Sequence, residues 1–104
     1  MTIGEGVTTI PSSCFDRCIA LKKVILPSTI SMIQTNILFN DYSMETLAVK
    51  SVVSPTVEGS DLGYNFSKIC KIYVPDTSVN IYKDNSWWSQ YASRIHPLSM
   101  LPKE

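Results

Sequence analysis

The sequence predicts a β-rich α/β repeat fold, a solenoid whose short parallel sheet of about four to five rungs ends in a helical C-terminal cap. The pattern apolar-x-x-apolar-x-apolar recurs at residues 21–26, 44–49 and 69–74, so that successive starts differ by 23 and then by 25. Pro27 and Pro75 directly follow two of these segments, where a missing N–H ends a strand. Further along, residues 76–95 carry apolar side chains at helical spacing. Recurrence at one fixed period is the signature of a repeat fold.

Length and charge limit the alternatives. A chain of 104 residues has room for one domain, spanning 1–104. The 9 basic and 9 acidic residues give a net charge of zero, so the surplus of Lys and Arg that a nucleic-acid partner requires is missing. Neither a signal peptide nor an apolar run of about 18 to 20 residues is present, and we expect no membrane insertion.

The repeat divides the domain into four units, at about 1–20, 21–43, 44–68 and 69–98. Met1, Ile3 and Ile95 fall in phase with the three strand segments, and the connecting segment 6–10 matches the segment 29–33 at an offset of 23. One such unit cannot bury its apolar face alone. Stacking would pair the strands in parallel and join their apolar sides into one core.

Strand alternation assigns two faces to the predicted sheet. The inward residues, which should form the core, are Val24, Leu26, Leu47, Val49, Ile72 and Val74. The outward residues are Lys23, Ile25, Thr46, Ala48, Lys71 and Tyr73. In a curved solenoid these outward side chains would line the concave face, the usual place for a ligand. An ordinary solvated sheet without a partner is the equal alternative.

The cysteine count indicates structural thiols. Three cysteines cannot complete an intrachain disulfide set, and with the one histidine they would make a three-Cys, one-His zinc set: Cys14, Cys18, Cys70 and His96. The last two lack a nearby paired ligand, unlike most structural zinc sites. We therefore predict buried thiols, with no metal and no cofactor.

These features resemble the BspA-like leucine-rich repeat family of bacterial surface proteins. Residues 3–21 read like one full repeat, in which Cys14, Phe15 and Cys18 stand at interior positions, and residues 72–95 are similar to the ending of these proteins. The Asn ladder of other leucine-rich repeats is replaced by Thr29, Val52 and Thr77, which fits this subtype. The third repeat, at residues 50–68, is degenerate.

The resemblance implies adhesion or protein–protein contact, a location at the cell surface or in the secreted fraction, and no catalysis. The cytoplasm is the alternative location, because unpaired cysteines are equally compatible with it. The partner would be a protein. Two other functions stay open: carbohydrate recognition through Tyr73 or an exposed Trp87, and a purely structural role as the end cap of a longer repeat protein.

The two ends of the stack differ in the sequence. Asp76 or Thr77 is predicted to cap a short helix, and Ser86 a second one. Trp88 is predicted to belong to the core, so that the cap, at about 76–95, covers the last rung. Residues 1–3 resemble only the tail of a strand, which predicts an open first rung covered by upstream repeats or by self-association with a second copy.

No catalytic constellation is evident, and we predict that the chain is not an enzyme. The single His96 lies near the chain end beside Pro97, and the cysteines should lie inside the stack. The acidic residues are scattered singly, without a pair for glycoside hydrolysis or calcium binding. Residues 4–6 suit a turn after the first strand rather than a phosphate loop.

Overall fold

The structure is a computed structural model that describes residues 2–12, 15, 21–34, 37–38, 43–59 and 70–101. Its strands are β1 Thr9–Ile10, β2 Lys23–Leu26, β3 Met32–Ile33, β4 Thr46–Val49, β5 Thr56–Val57, β6 Lys71–Val74 and β7 Ile95–Pro97. One α-helix, α1, spans Val79–Asp84, and 3₁₀ segments span Asp76–Ser78, Trp88–Arg94 and Leu98–Met100. These strands form two sheets, and neighbouring strands within each sheet are parallel.

The larger sheet has the order β2-β4-β6-β7 and follows the predicted repeat. Val24 pairs with Leu47, Leu47 with Ile72, and Ile72 with Ile95, so that the paired positions differ by 23, 25 and 23 in turn. Thr2 forms an isolated parallel bridge to Ile25, again at an offset of 23. The sequence period therefore sets the strand register, and the prediction of in-phase strands is confirmed.

The smaller sheet, ordered β1-β3-β5, joins the connecting segments of successive units. Ile10 pairs with Ile33, as the offset of 23 predicts, and Ile33 pairs with Val57. Each of these strands has only two residues. In chain order they alternate with the strands of the larger sheet.

One hydrophobic core is shared by both sheets and the C-terminal segment. It includes Ile10 and Ile33 of the smaller sheet together with all six residues predicted to point inward. Those six side chains are completely buried. Burying a side chain of this size contributes roughly 1.5–3 kcal/mol, so each inward residue should stabilise the fold.

The predicted caps of the C-terminal segment are wrong. Neither Asp76 nor Thr77 caps α1: its N-cap residue is Ser78, which makes no side-chain capping bond. The second predicted helix is the 3₁₀ segment Trp88–Arg94, and Ser86 does not cap it. Instead, Asn85 Oδ1 accepts bonds from the backbone N–H groups of Trp87 (2.9 Å) and Trp88 (3.1 Å). An Asn side chain can turn back to bond the N–H groups that follow it, which is a local alternative to a Ser cap.

The helical segment lies between the last two strands of the larger sheet and contacts β7, and that it caps the last rung stays a prediction. It connects β6 to β7, and β7 then pairs with β6 as a further rung of the sheet. The in-phase apolar side chain of Ile95 is buried and continues the strand ladder. The segment is therefore the connecting path of a repeat unit, built from helical turns where the earlier units use β1 and β3.

Candidate functional site

The outward residues of the larger sheet stand in two rows that cross the strands. Lys23, Thr46 and Lys71 are partners in register, and Arg94 precedes β7 at the next equivalent position. The second row is Ile25, Ala48, Tyr73 and His96. Paired strands lie about 4.8 Å apart, so each row brings side chains from distant parts of the chain side by side. We call the surface formed by these eight residues the outer face.

Exposure along the outer face is uneven. Lys71 is exposed, whereas Lys23, Ile25 and Thr46 are partly buried. Ala48 is completely buried and Tyr73 is only 5% exposed, yet neither belongs to the core cluster on the other side of the sheet. Alternation thus predicts on which side these two side chains lie but not that they are covered. Most of the surface open to a partner is therefore in the first row.

Sequence reasoning missed two members of the outer face. Adding 23 to the positions of Lys71 and Tyr73 gives Arg94 and His96, so the offset that identified Ile95 would also have found them. The His96 ring lies 5.7 Å from the Tyr73 ring, with their planes inclined by 40°. The Arg94 guanidinium lies 5.6 Å from the Tyr91 ring, within the range of a cation–π contact.

Charge is distributed unequally between the two ends of the strands. Among the described residues, Lys22, Lys23, Lys71 and Arg94 stand at or beside the strand starts with one acidic residue, Glu45, which gives a sum of +3. Beyond the strand ends, the described charges of Glu5, Asp76 and Lys50 sum to −1. Within the described residues, therefore, the edge beside the first row of the outer face is cationic.

At the strand ends, polar side chains link successive units. Glu5 accepts bonds from the backbone N–H of Ser28 (2.9 Å) and from its hydroxyl, and Asp76 Oδ1 accepts the N–H of Ser99 (3.0 Å). The two pairs are equivalent, since the residues of each are 23 positions apart. The Ser28 side-chain bond chiefly lowers the pKa of Glu5, and the Ser99 backbone bond chiefly lowers the pKa of Asp76.

Thr29 performs part of the role of the missing Asn ladder. Its Oγ1 accepts the backbone N–H of Gly6 (3.0 Å) and donates to the carbonyl of Val7 (2.8 Å), bridging the first unit to the second. Gly6 has φ +100°, a left-handed conformation that glycine adopts without strain, and it turns the chain after the first strand. This confirms the predicted turn at residues 4–6.

The aromatic side chains of the C-terminal segment form the interface to the preceding unit. Trp88 is fully buried, as predicted, and its Nε1 donates to the carbonyl of Pro55 (3.0 Å). Tyr82 is also fully buried, and its hydroxyl donates to the carbonyl of Ser51 (2.7 Å). Their rings meet edge to face with centroids 5.3 Å apart. Burial raises the pKa of Tyr82, so its phenol stays protonated and remains a donor.

Trp87, the candidate for an exposed aromatic, is engaged with the protein. It is partly buried, its Nε1 donates to the carbonyl of Gly59 (2.9 Å), and its ring meets Trp88 edge to face at 4.9 Å. The Tyr91 ring lies 5.7 Å away. Trp87 is thus partly exposed and bonded to the protein, and carbohydrate recognition through Trp87 or Tyr73 stays a prediction.

The described cysteine is structural. Cys70 is completely buried, and burial raises the pKa of its thiol to about 12, so it stays protonated at neutral pH. Cys14 and Cys18 lie outside the described residues. No group of three or more His, Cys, Asp or Glu side chains that could hold a metal ion occurs in the part of the chain that the structure describes. Within that same part, no helix has the length and apolar character needed to cross a membrane.

Parallel strands that recur at offsets of 23 to 25 residues, with one shared core, define an α/β repeat protein. The sequence model for the BspA type leucine rich repeat region matches residues 1–88 in six copies. The chain therefore belongs to the BspA-type leucine-rich repeat family, and the resemblance seen in the sequence is confirmed. No curated protein matches the chain.

Proposed function

We propose that this chain is a protein-interaction module in which the repeat units stack as a short solenoid and the outer face of the larger sheet contacts the partner. The proposal includes an adhesive role at the cell surface, which is typical of BspA-like repeats. The family is a repeat-module family and generally non-enzymatic, which supports binding rather than catalysis.

The register of the larger sheet is the observation that carries this proposal. It aligns Lys23, Thr46 and Lys71 in one row although they belong to three different repeat units. The core behind the row is fully buried, so the row is held on a rigid support. A rigid surface loses little conformational entropy when a partner binds, which favours affinity.

Site-specific photo-crosslinking tests the proposal. A benzophenone amino acid replaces Thr46 in one variant and Lys83, on α1, in a matched control. Both variants are irradiated in extracts of the cell surface and of the culture medium. We expect an adduct from position 46 that unlabelled wild-type chain competes away, and no corresponding adduct from position 83.

A third variant adds Lys71→Glu to the crosslinker at position 46. Its far-UV circular dichroism should match that of the parent, because Lys71 is exposed, while the adduct should disappear. The proposal fails if positions 46 and 83 give the same adducts, or if position 46 gives no adduct that the wild-type chain competes away.

A further inference from the structure

We infer that the partner segment received by the outer face is an acidic polypeptide, whose carboxylates meet the cationic edge of the sheet. This inference rests on the proposed function, because it names the chemistry of the partner at the same surface. It is carried by the placement of charge relative to the strands.

Cations gather at one edge of the sheet. Four of the six Lys and Arg among the described residues lie at or beside the strand starts, against one of the five described acidic residues. Two of those acids, Glu5 and Asp76, lie beyond the strand ends, where bonds to Ser28 and Ser99 hold them. This arrangement makes the electrostatic potential more positive at the strand starts than at the strand ends. A partner with complementary charge would therefore place its acidic groups over the strand starts.

The first row spaces its cations regularly. Lys23 and Lys71 lie two strands apart, and Arg94 lies beside Lys71 at the start of the next strand, β7. Neighbouring strands are separated by about 4.8 Å. Thr46 occupies the intervening position between Lys23 and Lys71 and is partly exposed. The row thus holds three cationic side chains and one neutral position, Thr46, that can be changed without touching the core.

The second row favours a polypeptide over other polyanions. Ile25 and His96 lie partly exposed beside the cations, with the covered Ala48 and Tyr73 between them. A sulfated glycan or a nucleic-acid backbone needs many cations and gains little from an aliphatic neighbour. A peptide that alternates acidic and apolar side chains can use both rows at once.

NMR titration of the isotope-labelled full chain tests this inference. The probe is a short peptide of alternating Glu and Leu, and its neutral matched control alternates Gln and Leu. We expect amide shifts near Lys23, Thr46, Lys71 and Arg94 with the acidic peptide only. The shifts should weaken as salt is raised beyond about 0.15 M, where screening acts over about 8 Å.

Charge variants at Thr46 sharpen the test. Thr46→Lys should bind the acidic peptide about threefold more tightly than the wild-type chain, and Thr46→Glu about threefold more weakly, as expected for one added charge at a surface pair. Lys83→Glu on α1 is the control and should leave the affinity unchanged. Because Thr46 lies outside the core cluster, both variants should fold.

Three outcomes would overturn the inference: equal shifts with the neutral peptide, no ordering among the Thr46 variants, or stronger binding of a heparin oligosaccharide at the same residues. The last would identify a polyanionic glycan as the partner. If the crosslinking experiment captures a partner at position 46 but the Thr46 charge series has no effect, the proposed function stands and only the acidic chemistry fails. If neither experiment detects binding at this face, both fail.

Discussion

The first and last units of this chain connect their strands in different ways. In the first two units the links between strands of the larger sheet include the two-residue strands β1 and β3, and the bonds between units come from exposed side chains such as Glu5 and Thr29. In the last unit the link between β6 and β7 is helical, and its bonds to the preceding unit come from the buried Tyr82 and Trp88.

The two ends of the sheet share the same strand register but should differ in how much they contribute to stability. Thr2 with Ile25 at one end of the sheet and Ile72 with Ile95 at the other keep the same offset of 23, so either kind of connection can preserve the strand register. Exposed polar bonds contribute little net free energy because water competes for the same groups. Buried aromatic rings contribute through apolar area and through bonds that water cannot replace. The C-terminal unit should therefore account for more of the stability than the first unit does.

The largest expected effect is that of Trp88→Ala. Removing a fully buried indole should lower the free energy of unfolding by about 3–5 kcal/mol, measured by urea denaturation. Trp87→Ala is the matched control and should cost clearly less, because Trp87 is only partly buried. Equal losses in the two variants would contradict the assignment of Trp88 as the central side chain of this unit.

The second effect is that of Tyr82→Phe, which removes only the hydroxyl that donates to the Ser51 carbonyl. We expect a loss of about 1–2 kcal/mol, because a buried carbonyl is left without that donor. Ile81→Ala on the same helix changes an exposed side chain and should stay within about 0.5 kcal/mol of the wild-type chain. If Ile81→Ala proved the more damaging variant, the proposed packing of α1 would be wrong.

A smaller effect is expected for Thr29→Val, at the contact between the first and second units. The change removes the two exposed bonds of the Thr29 hydroxyl, which accepts the Gly6 N–H and donates to the Val7 carbonyl, so the cost should be about 0.5–1 kcal/mol. Thr9→Val in β1 serves as control, since it makes the same chemical change at another exposed position. A loss larger than that of Tyr82→Phe would reverse the ranking of the two units.

The smallest effect concerns acid sensitivity. Glu5 and Asp76 have lowered pKa values in the folded chain, so their contribution to stability is fully present above the pKa values of the unfolded chain, about 4. It is lost as pH falls through the lower, folded values. Glu5→Gln and Asp76→Asn should therefore flatten the decline of the urea midpoint below about pH 4. A decline as steep as that of the wild-type chain would show that these bonds do not contribute.

The sequence predicted the strand positions because the sheet depends on a pattern that is local and periodic. The six inward residues, the pairing of Ile10 with Ile33 and the burial of Trp88 all follow from spacing and are confirmed. The caps could not be predicted, because Asp76, Ser86 and Asn85 all suit a helix start and only the bonds formed in the fold select among them. Nor could spacing show that Ala48 and Tyr73 are covered, since alternation assigns a side and not an environment.

The two rows of the outer face exist only at these strand offsets, so the fold and the proposed binding face both depend on the strand register. NMR measurement of cross-strand contacts between backbone protons tests it. We expect parallel-strand contacts that pair Thr46 with Lys71, Leu47 with Ile72, and Ile72 with Ile95. Contacts shifted by one residue would move Lys71 to the core side and contradict both the fold and the proposed binding face.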